Sequence, residues 1–368
     1  MKHFIPLASP DIRNEDVESV SQVLHSGNLV QGKQIELLEK KLADYLGVPH
    51  CIMLSNGTSS LHLSLIALGI GKGDEVIVPA FSYIATANSV ELTGANPVFV
   101  DIDIDTFNIK SGSVENAITK NTKAIMIVHE FGLTADIRKI KQICEKHKLP
   151  LIEDAACALG AKDEGVFAGT SGIAGSFSFH PRKAITSGEG GAVVTKDNNF
   201  ASLIRTLRNH GLDSTQKDKM DFIEAGYNYR MTDFQGALLL SQFKRFPEIL
   251  ERKSKIANRY LNEIKNSDIT LPKIPKYKTP SWQTFHILLP DRLDQKETIL
   301  KLKSLGIGTN LGAQCMPEQI FFKSKYNYDS AKKFPNAHKA FHKGLAIPLY
   351  EKLTEEEVTF IIKTINEL

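Results

Sequence analysis

The chain has 368 residues, 42% of them hydrophobic and 24% charged, with a formal net charge of +3. This is ordinary globular composition, without the basic balance of a nucleic-acid surface and without an apolar stretch long enough to span a bilayer. The start, Met1 to Leu7, has neither the apolar run nor the small-residue site of a signal peptide, so a cytoplasmic protein is expected, with no nucleic-acid or membrane partner.

In chain order, Ile35, Leu38, Leu42 and Leu46 keep helical spacing until Gly47 stops the run. A strand over 51–54 follows, then a turn at Ser55, Asn56 and Gly57, then a helix through Leu61, Leu65 and Leu68. Buried strands are predicted at 75–78, 97–100, 124–128, 151–153, 177–179 and 192–195, with helices at 84–92, 137–146 and 200–207 between several of them. Val- and Ile-rich strands alternating with helices imply an α/β fold with a mostly parallel sheet flanked by helices. A helical stretch runs from Asp233 toward Tyr260, interrupted near Pro247. The segment 273–280 reads as a crossing loop. Beyond it come a strand (284–289), a helix (296–305), a loop-rich region and a closing helix (355–365). We therefore expect a large domain over 1–250, including an N-terminal segment, and a smaller C-terminal α/β domain over 251–368. The four cysteines, Cys51, Cys144, Cys157 and Cys315, form no CxxC pair and read as reduced thiols, with no metal site expected.

Four short segments carry chemistry. In Gly175 to Lys183 a strand ends, the chain turns at Pro181, and Lys183 precedes a turn rich in glycine, Gly188, Gly190 and Gly191. A lone loop lysine is normally a solvated charge. Here the glycines let backbone approach something bulky, and lysine amines form Schiff bases with carbonyl cofactors. In Leu151 to Ala156 a hydrophobic strand ends in Glu153 and Asp154, where open α/β sheets place ligands. Asp154 suits the protonated nitrogen of a pyridine ring, or equally a helix cap. Glu153 reads as structural. Gly57, Thr58 and Ser59 open a helix and offer an anion site suited to a phosphate. Tyr83, just past a strand end, could stack on a flat ring or serve as an ordinary core or surface aromatic.

Together these segments run in the chain order of fold-type I pyridoxal-phosphate enzymes. More closely, the sequence resembles the DegT/DnrJ/EryC1/StrS family of sugar aminotransferases. The match includes Gln31-Gly32, Asn56-Gly57-Thr58, Glu153-Asp154-Ala155-Ala156, Ser178-Phe179 leading to Lys183, Gly188 to Gly191, Arg208 to Gly211, and Gly226 to Asp233. The resemblance implies pyridoxal 5'-phosphate as cofactor, with pyridoxamine 5'-phosphate as its aminated form. Lys183 would be the Schiff-base lysine and proton shuttle, and Asp154 the ring-nitrogen partner. Tyr83 would take the stacking position, and Thr58, Ser59 and Ser178 would hold the phosphate. Asn228 would reach that phosphate from a neighbouring subunit, making a homodimer with shared sites, to which the loop from Ser26 to Gln31 also contributes. Arg230 is a candidate for a substrate diphosphate, with a surface salt bridge as the alternative. Substrate contacts are also expected from Gln31 and Asn310.

Two departures from the family pattern stand out. Cys157 occupies a place where many members carry Gln or His; a Gln there can bond the cofactor's phenolic oxygen, whereas a thiol is a weaker donor, so Cys157 is expected to line the cofactor site as a weak donor or a small packing residue. The run Gly308 to Cys315, with Asn310, replaces a His-Tyr segment near the substrate. The implied reaction moves an amino group from L-glutamate to a nucleotide-linked keto-sugar, with a 4-keto-6-deoxyhexose as the leading choice and amination at C3 as an alternative. An amino-acid aminotransferase is disfavoured because no arginine follows Arg292. A sugar dehydratase is disfavoured because those relatives replace the lysine with histidine. A binding protein that has lost catalysis is disfavoured by the full set of site residues.

Overall fold

The computed structural model describes residues 4–213, 215 and 220–368, so Met1 to His3 of the start segment lie outside the described residues. The first strands are β1 (His50–Leu54), β2 (Glu75–Pro79), the short β3 (Phe81–Ser82), β4 (Asn96–Val100), β5 (Thr122–Val128) and β6 (Leu151–Asp154). A small pair, β7 (Lys162–Asp163) and β8 (Val166–Phe167), precedes β9 (Ala174–Ser178) and β10 (Gly191–Thr195). Seven of these form one sheet in the order β1-β10-β9-β6-β5-β2-β4. All pairings from β9 to β4 are parallel, and β10 is antiparallel to both its neighbours. One strand is therefore reversed.

The helices over this region are α1 (Asn14–Ser26), α2 (Lys33–Leu46), α3 (Gly57–Ala67), α4 (Ala85–Glu91), the single turn α5 (Ser111–Val114), α6 (Ile137–His147) and α7 (Asn198–Arg208). Successive residues of a strand point to opposite faces, and here both faces are covered. Ile125 and Ile127 of β5 pack with Ile137 and Ile140 of α6, whereas Ala124 and Met126 join Leu61, Leu65 and Val90 on the other side. That is why the strand is apolar without alternation. Each such buried isoleucine contributes about 1.5–3 kcal/mol relative to exposure.

The stretch interrupted near Pro247 is two helices, α8 (Asp233–Phe243) and α9 (Phe246–Glu263), with the proline in the first turn of α9, where its missing N–H costs nothing. Asp233 also reaches across the chain. Its carboxylate accepts the N–H groups of Gly32 (3.0 Å), Gln34 (3.2 Å) and Ile35 (3.0 Å), capping α2, whose own cap residue Gly32 has no side chain. Helix α1 packs on α8 and is tied by Arg245, which donates to both Asp16 oxygens at 2.9 and 2.6 Å.

After α9, the segment expected as a loop contains β11 (Lys278–Thr279), which pairs with β7. β12 (Phe285–Leu288) is followed by α10 (Gln295–Ser304) and β13 (Gln314–Cys315), which pairs with β3. The region expected to be loop-rich holds α11 (Ile320–Tyr326), α12 (Ser330–Lys333) and α13 (Pro335–Lys343) before β14 (Gly344–Ile347), the partner of β12, and α14 (Glu355–Asn366). Ile256 and Tyr260 of α9 share a separate core with Phe285, Leu302, Leu345 and Ile361.

Candidate active site

The carboxyl ends of β1, β6 and β9 share one edge of the sheet. Because β10 is reversed, its first residue, Gly191, lies at that edge too, paired with Leu54 on one side and Ser178 on the other. The connection between β9 and β10, which carries Lys183, therefore starts and finishes there. Lys183, Ser178, Cys157 and Asp154 line one cavity of about 720 Å³, as do Gly57, Thr58, Ser59 and Tyr83. Ligands of open α/β sheets occupy this position.

At the start of α3, Asn56 accepts the Ser59 N–H at 2.8 Å, and the Ser59 hydroxyl returns a bond to the Asn56 carbonyl at 2.9 Å. Ser59 is thus engaged in capping. The N–H groups of Gly57 and Thr58 stand at the positive end of the helix with no partner inside it. Glycine is required at Gly191: a Cβ there would lie 2.3 Å from the Asn56 carbonyl oxygen. A Cβ on Gly57 would come within 3.0 Å of the Ser178 Cβ. These two close approaches bring the turn and Ser178 together into a corner that fits a phosphate.

Asp154 is buried, and its Oδ2 accepts the Thr86 hydroxyl at 2.8 Å while Oδ1 accepts the Ala156 N–H at 3.2 Å. Burial raises its pKa, and the two bonds with the Lys183 charge oppose that rise. The Lys183 ammonium lies 3.1 Å from the Cys157 sulfur. Burial pushes that thiol up, so it stays protonated and is a weak donor. Tyr83 is 57% exposed at the cavity, a ring that a ligand would cover.

Glu153 faces away from the cavity into a structural knot. It accepts His129 Nε2 at 2.9 Å and the N–H groups of Gly169 (2.9 Å), Ser171 (2.7 Å) and Gly172 (2.7 Å). His129 Nδ1 accepts from Ala135, so the proton sits on Nε2. Burial penalises the Glu153 charge, but the His129 bond and these N–H donors overcome it and hold the carboxyl below its ordinary range.

The other predicted residues lie outside this cavity in the single chain. Asn228 is exposed and bridges to Asn209, whose side chain also accepts Arg230 Nη1. Gln31 follows α1, and its Oε1 is buried without a partner. Asn310 lines a small neighbouring cavity that shares Arg182, Gln283, Thr284 and Gly312 with the main one. Sequence reasoning missed Glu130, Ser82 and Thr86, which all line the main cavity. Glu130 had a signal: it is an acid just beyond an apolar strand, the pattern that singled out Asp154. Away from the site, Glu318, His338 and His342 bring three ligand atoms within 4.8 Å, but each histidine already bonds a Glu318 oxygen, at 2.7 and 2.8 Å, which requires no ion.

A family model for the DegT/DnrJ/EryC1/StrS aminotransferases matches residues 10–366. The chain belongs to that family. Among solved structures, it is similar to Spr1654 of Streptococcus pneumoniae, assigned as a sugar aminotransferase and solved in its PMP-form, at 30% identity, TM-score 0.93, and 99% and 97% coverage of the two chains. It is likewise similar to Helicobacter pylori PseC, an aminotransferase involved in the biosynthesis of pseudoaminic acid, at 28% identity, TM-score 0.93 and coverage of 99% and 98%. S. venezuelae DesV, solved in complex with a ketimine intermediate, matches at 30% identity, TM-score 0.91 and coverage of 100% and 98%. Within this fold, Lys183 and Asp154 line the same cavity.

Proposed function

We propose that this aminotransferase uses pyridoxal 5'-phosphate to move an amino group from L-glutamate to a nucleotide-linked keto-sugar, with a 4-keto-6-deoxyhexose as the acceptor. The observation that carries the reading is the convergence of Lys183, Asp154 and the phosphate corner of Thr58 and Ser178 on one cavity. Bound there, the cofactor supplies an aldehyde that takes up amino groups and a protonated ring that withdraws electrons. The chain's own residues do the rest. Asp154 would hold the ring nitrogen, the start of α3 with Thr58 and Ser178 would hold the phosphate, and Tyr83 would lie against the ring. The Lys183 amine moves the proton of the amino donor, first as base and then as acid.

Arg182 stands at the rim of both cavities, where a guanidinium suits a diphosphate. Arg292 is engaged with Asp268 at the surface, in keeping with a site not built around a C-terminal carboxylate clamp. Exposed Val17, Leu24, Leu29, Val30 and Leu37, on the first two helices and the loop joining them, support a homodimer in which Asn228 and the loop ending at Gln31 complete a partner's site. All four cysteines are free thiols, which supports a cytoplasmic enzyme.

Purified protein is expected to be yellow, and borohydride should fix the cofactor on Lys183. Lys183→Ala should lose the visible band and reduce amino transfer by at least ~1,000-fold. Incubating the wild type with glutamate and a panel of nucleotide keto-sugars, read by mass spectrometry, should give an aminated sugar and parallel double-reciprocal lines. Amination of free 2-oxo acids alone would sink the sugar assignment.

A further inference from the structure

Glu130 is 4% exposed, lines the main cavity, and has an Oε2 with no hydrogen-bond partner among the described residues. A polar atom buried without a partner is costly, and in a ligand cavity it marks a place for a ligand atom. The backbone fixes where Glu130 stands. The register sets Val128 opposite Asp154, so Glu130 follows the end of β5 and Cys157 the end of β6, on adjacent strands at the cavity edge of the sheet. The Glu130 N–H donates to Asn108 Oδ1 at 2.9 Å, and Phe131 turns the chain at φ 55°. The turn then closes on Cys157: a Cβ on Gly132 would lie 3.0 Å from the Cys157 carbonyl oxygen. Ser281 ties the two together, its N–H donating to the Gly132 carbonyl at 2.9 Å and its hydroxyl to the Cys157 carbonyl at 3.1 Å.

The chemistry of pyridoxal phosphate says which of its atoms needs this wall. Its aldehyde carbon stands opposite the ring nitrogen and has two neighbours on the ring, one bearing the phosphate arm and the other a phenolic oxygen. Asp154, the start of α3 and Lys183 account for the nitrogen, the phosphate and the aldehyde. The phenolic oxygen is left, on the edge away from the phosphate and next to the carbon that the amine attacks. The Lys183 amine lies 3.1 Å from the Cys157 sulfur, which puts Cys157 and the turn packed on it beside that carbon. An ionised oxygen in a dry cavity needs a donor. The Cys157 thiol is a weak one. Glu130 has a proton to give: burial and the Asp154 charge push it up to about 8, against a partial offset from Lys183.

We propose that the Glu130 carboxyl binds the phenolic oxygen of the cofactor, donating its O–H to the ionised form and replacing a bond that the Cys157 thiol makes only weakly. The proposal rests on the cofactor assignment above. No covalent bond is made or broken, and the proton stays on Glu130. Glu130 is thus a cofactor-binding residue that answers to one ring substituent. A packing residue would not distinguish a cofactor with that oxygen from one without it, and neither would a group that touches only the sugar.

That distinction is the test. Equilibrium dialysis would compare pyridoxal 5'-phosphate with its 3-deoxy analogue, which lacks only the phenolic oxygen. Glu130→Leu should weaken the natural cofactor by about tenfold or more and the analogue by less than ~threefold. Glu130→Ala, which opens space rather than filling it, should show the same selective loss, so a folding defect in one variant leaves the other to decide. Glu130→Gln keeps a donor of similar size and should hold both ligands as wild type does. Equal losses for the two ligands in the Leu and Ala variants would overturn the proposal. So would a selective loss in Cys157→Ala with none in the Glu130 variants, which would give the oxygen to the thiol. Unchanged cofactor binding with a raised KM for the sugar alone would make Glu130 a substrate contact and overturn it too. A wild type that retains neither ligand, with no borohydride attachment at Lys183, would overturn the aminotransferase reading together with the proposal, a result distinct from any loss of selectivity.

Discussion

Glu153 and Glu130 are both buried, sit on neighbouring strand ends, and titrate in opposite directions. Glu153 is held low and Glu130 is pushed up to about 8. Burial penalises both charges alike, so the difference lies in what meets the oxygens. Glu153 has an imidazole N–H and three backbone N–H groups. Glu130 has an Oε2 with no hydrogen-bond partner and a second acid, Asp154, whose charge pushes the same way as burial. Desolvation decides a pKa only where donors are missing. The first glutamate is scaffolding, and the second lines the cavity and keeps its proton to a higher pH.

The largest expected effect comes from removing the scaffold acid. Glu153→Ala leaves His129 and three N–H groups buried without their acceptor, and should cost about 3–5 kcal/mol by denaturant unfolding. A loss under ~1 kcal/mol would erase the contrast between the two residues.

A smaller effect separates them by pH. Folded Glu130 keeps a proton from its ordinary 4.5 up to about 8 that the unfolded chain has already released, so its contribution to stability falls as pH rises through that window. Glu130→Gln in cofactor-free protein should therefore match wild type at pH 4 and unfold at a higher temperature at pH 9. Glu153 has the opposite sign: its folded pKa is lowered, so the stability it contributes is lost as pH falls. Equal melting temperatures for wild type and Glu130→Gln at pH 9 would contradict the assignment. The smallest effect should come from Thr86→Val, which deletes one bond to Asp154 and leaves the Glu153 knot intact. About 1 kcal/mol is expected from paired unfolding curves.

Much of the sheet was legible because both its faces are buried, so runs such as 124–128 and 151–153 are apolar and bounded by turns. The reversal of β10 was not, since a short apolar run reads the same in either direction. Helix α1 was also missed: Val17 and Leu24 on it are exposed, so no inward stripe marks it. The short helices of 316–343 lack the length that makes periodicity visible. In the site, Lys183 and Asp154 carried their signal in their flanks. Ser82 and Thr86 did not, because two ordinary hydroxyl residues acquire a role only when the fold sets Asp154 beside them. Asn228, Arg230 and Gln31 stay outside the cavity of one chain.

The reversed strand also bears on how the site is assembled in time. Ser178, Lys183 and Gly191 belong to two adjacent strands and the loop joining them, so few residues need be brought together to place the amine. The corner formed by Asn56 and Gly57 meets the first of these strands, at Ser176, across about 120 residues of chain, and contacts so distant in sequence form slowly. Refolding should therefore recover backbone structure before it recovers the ability to retain cofactor.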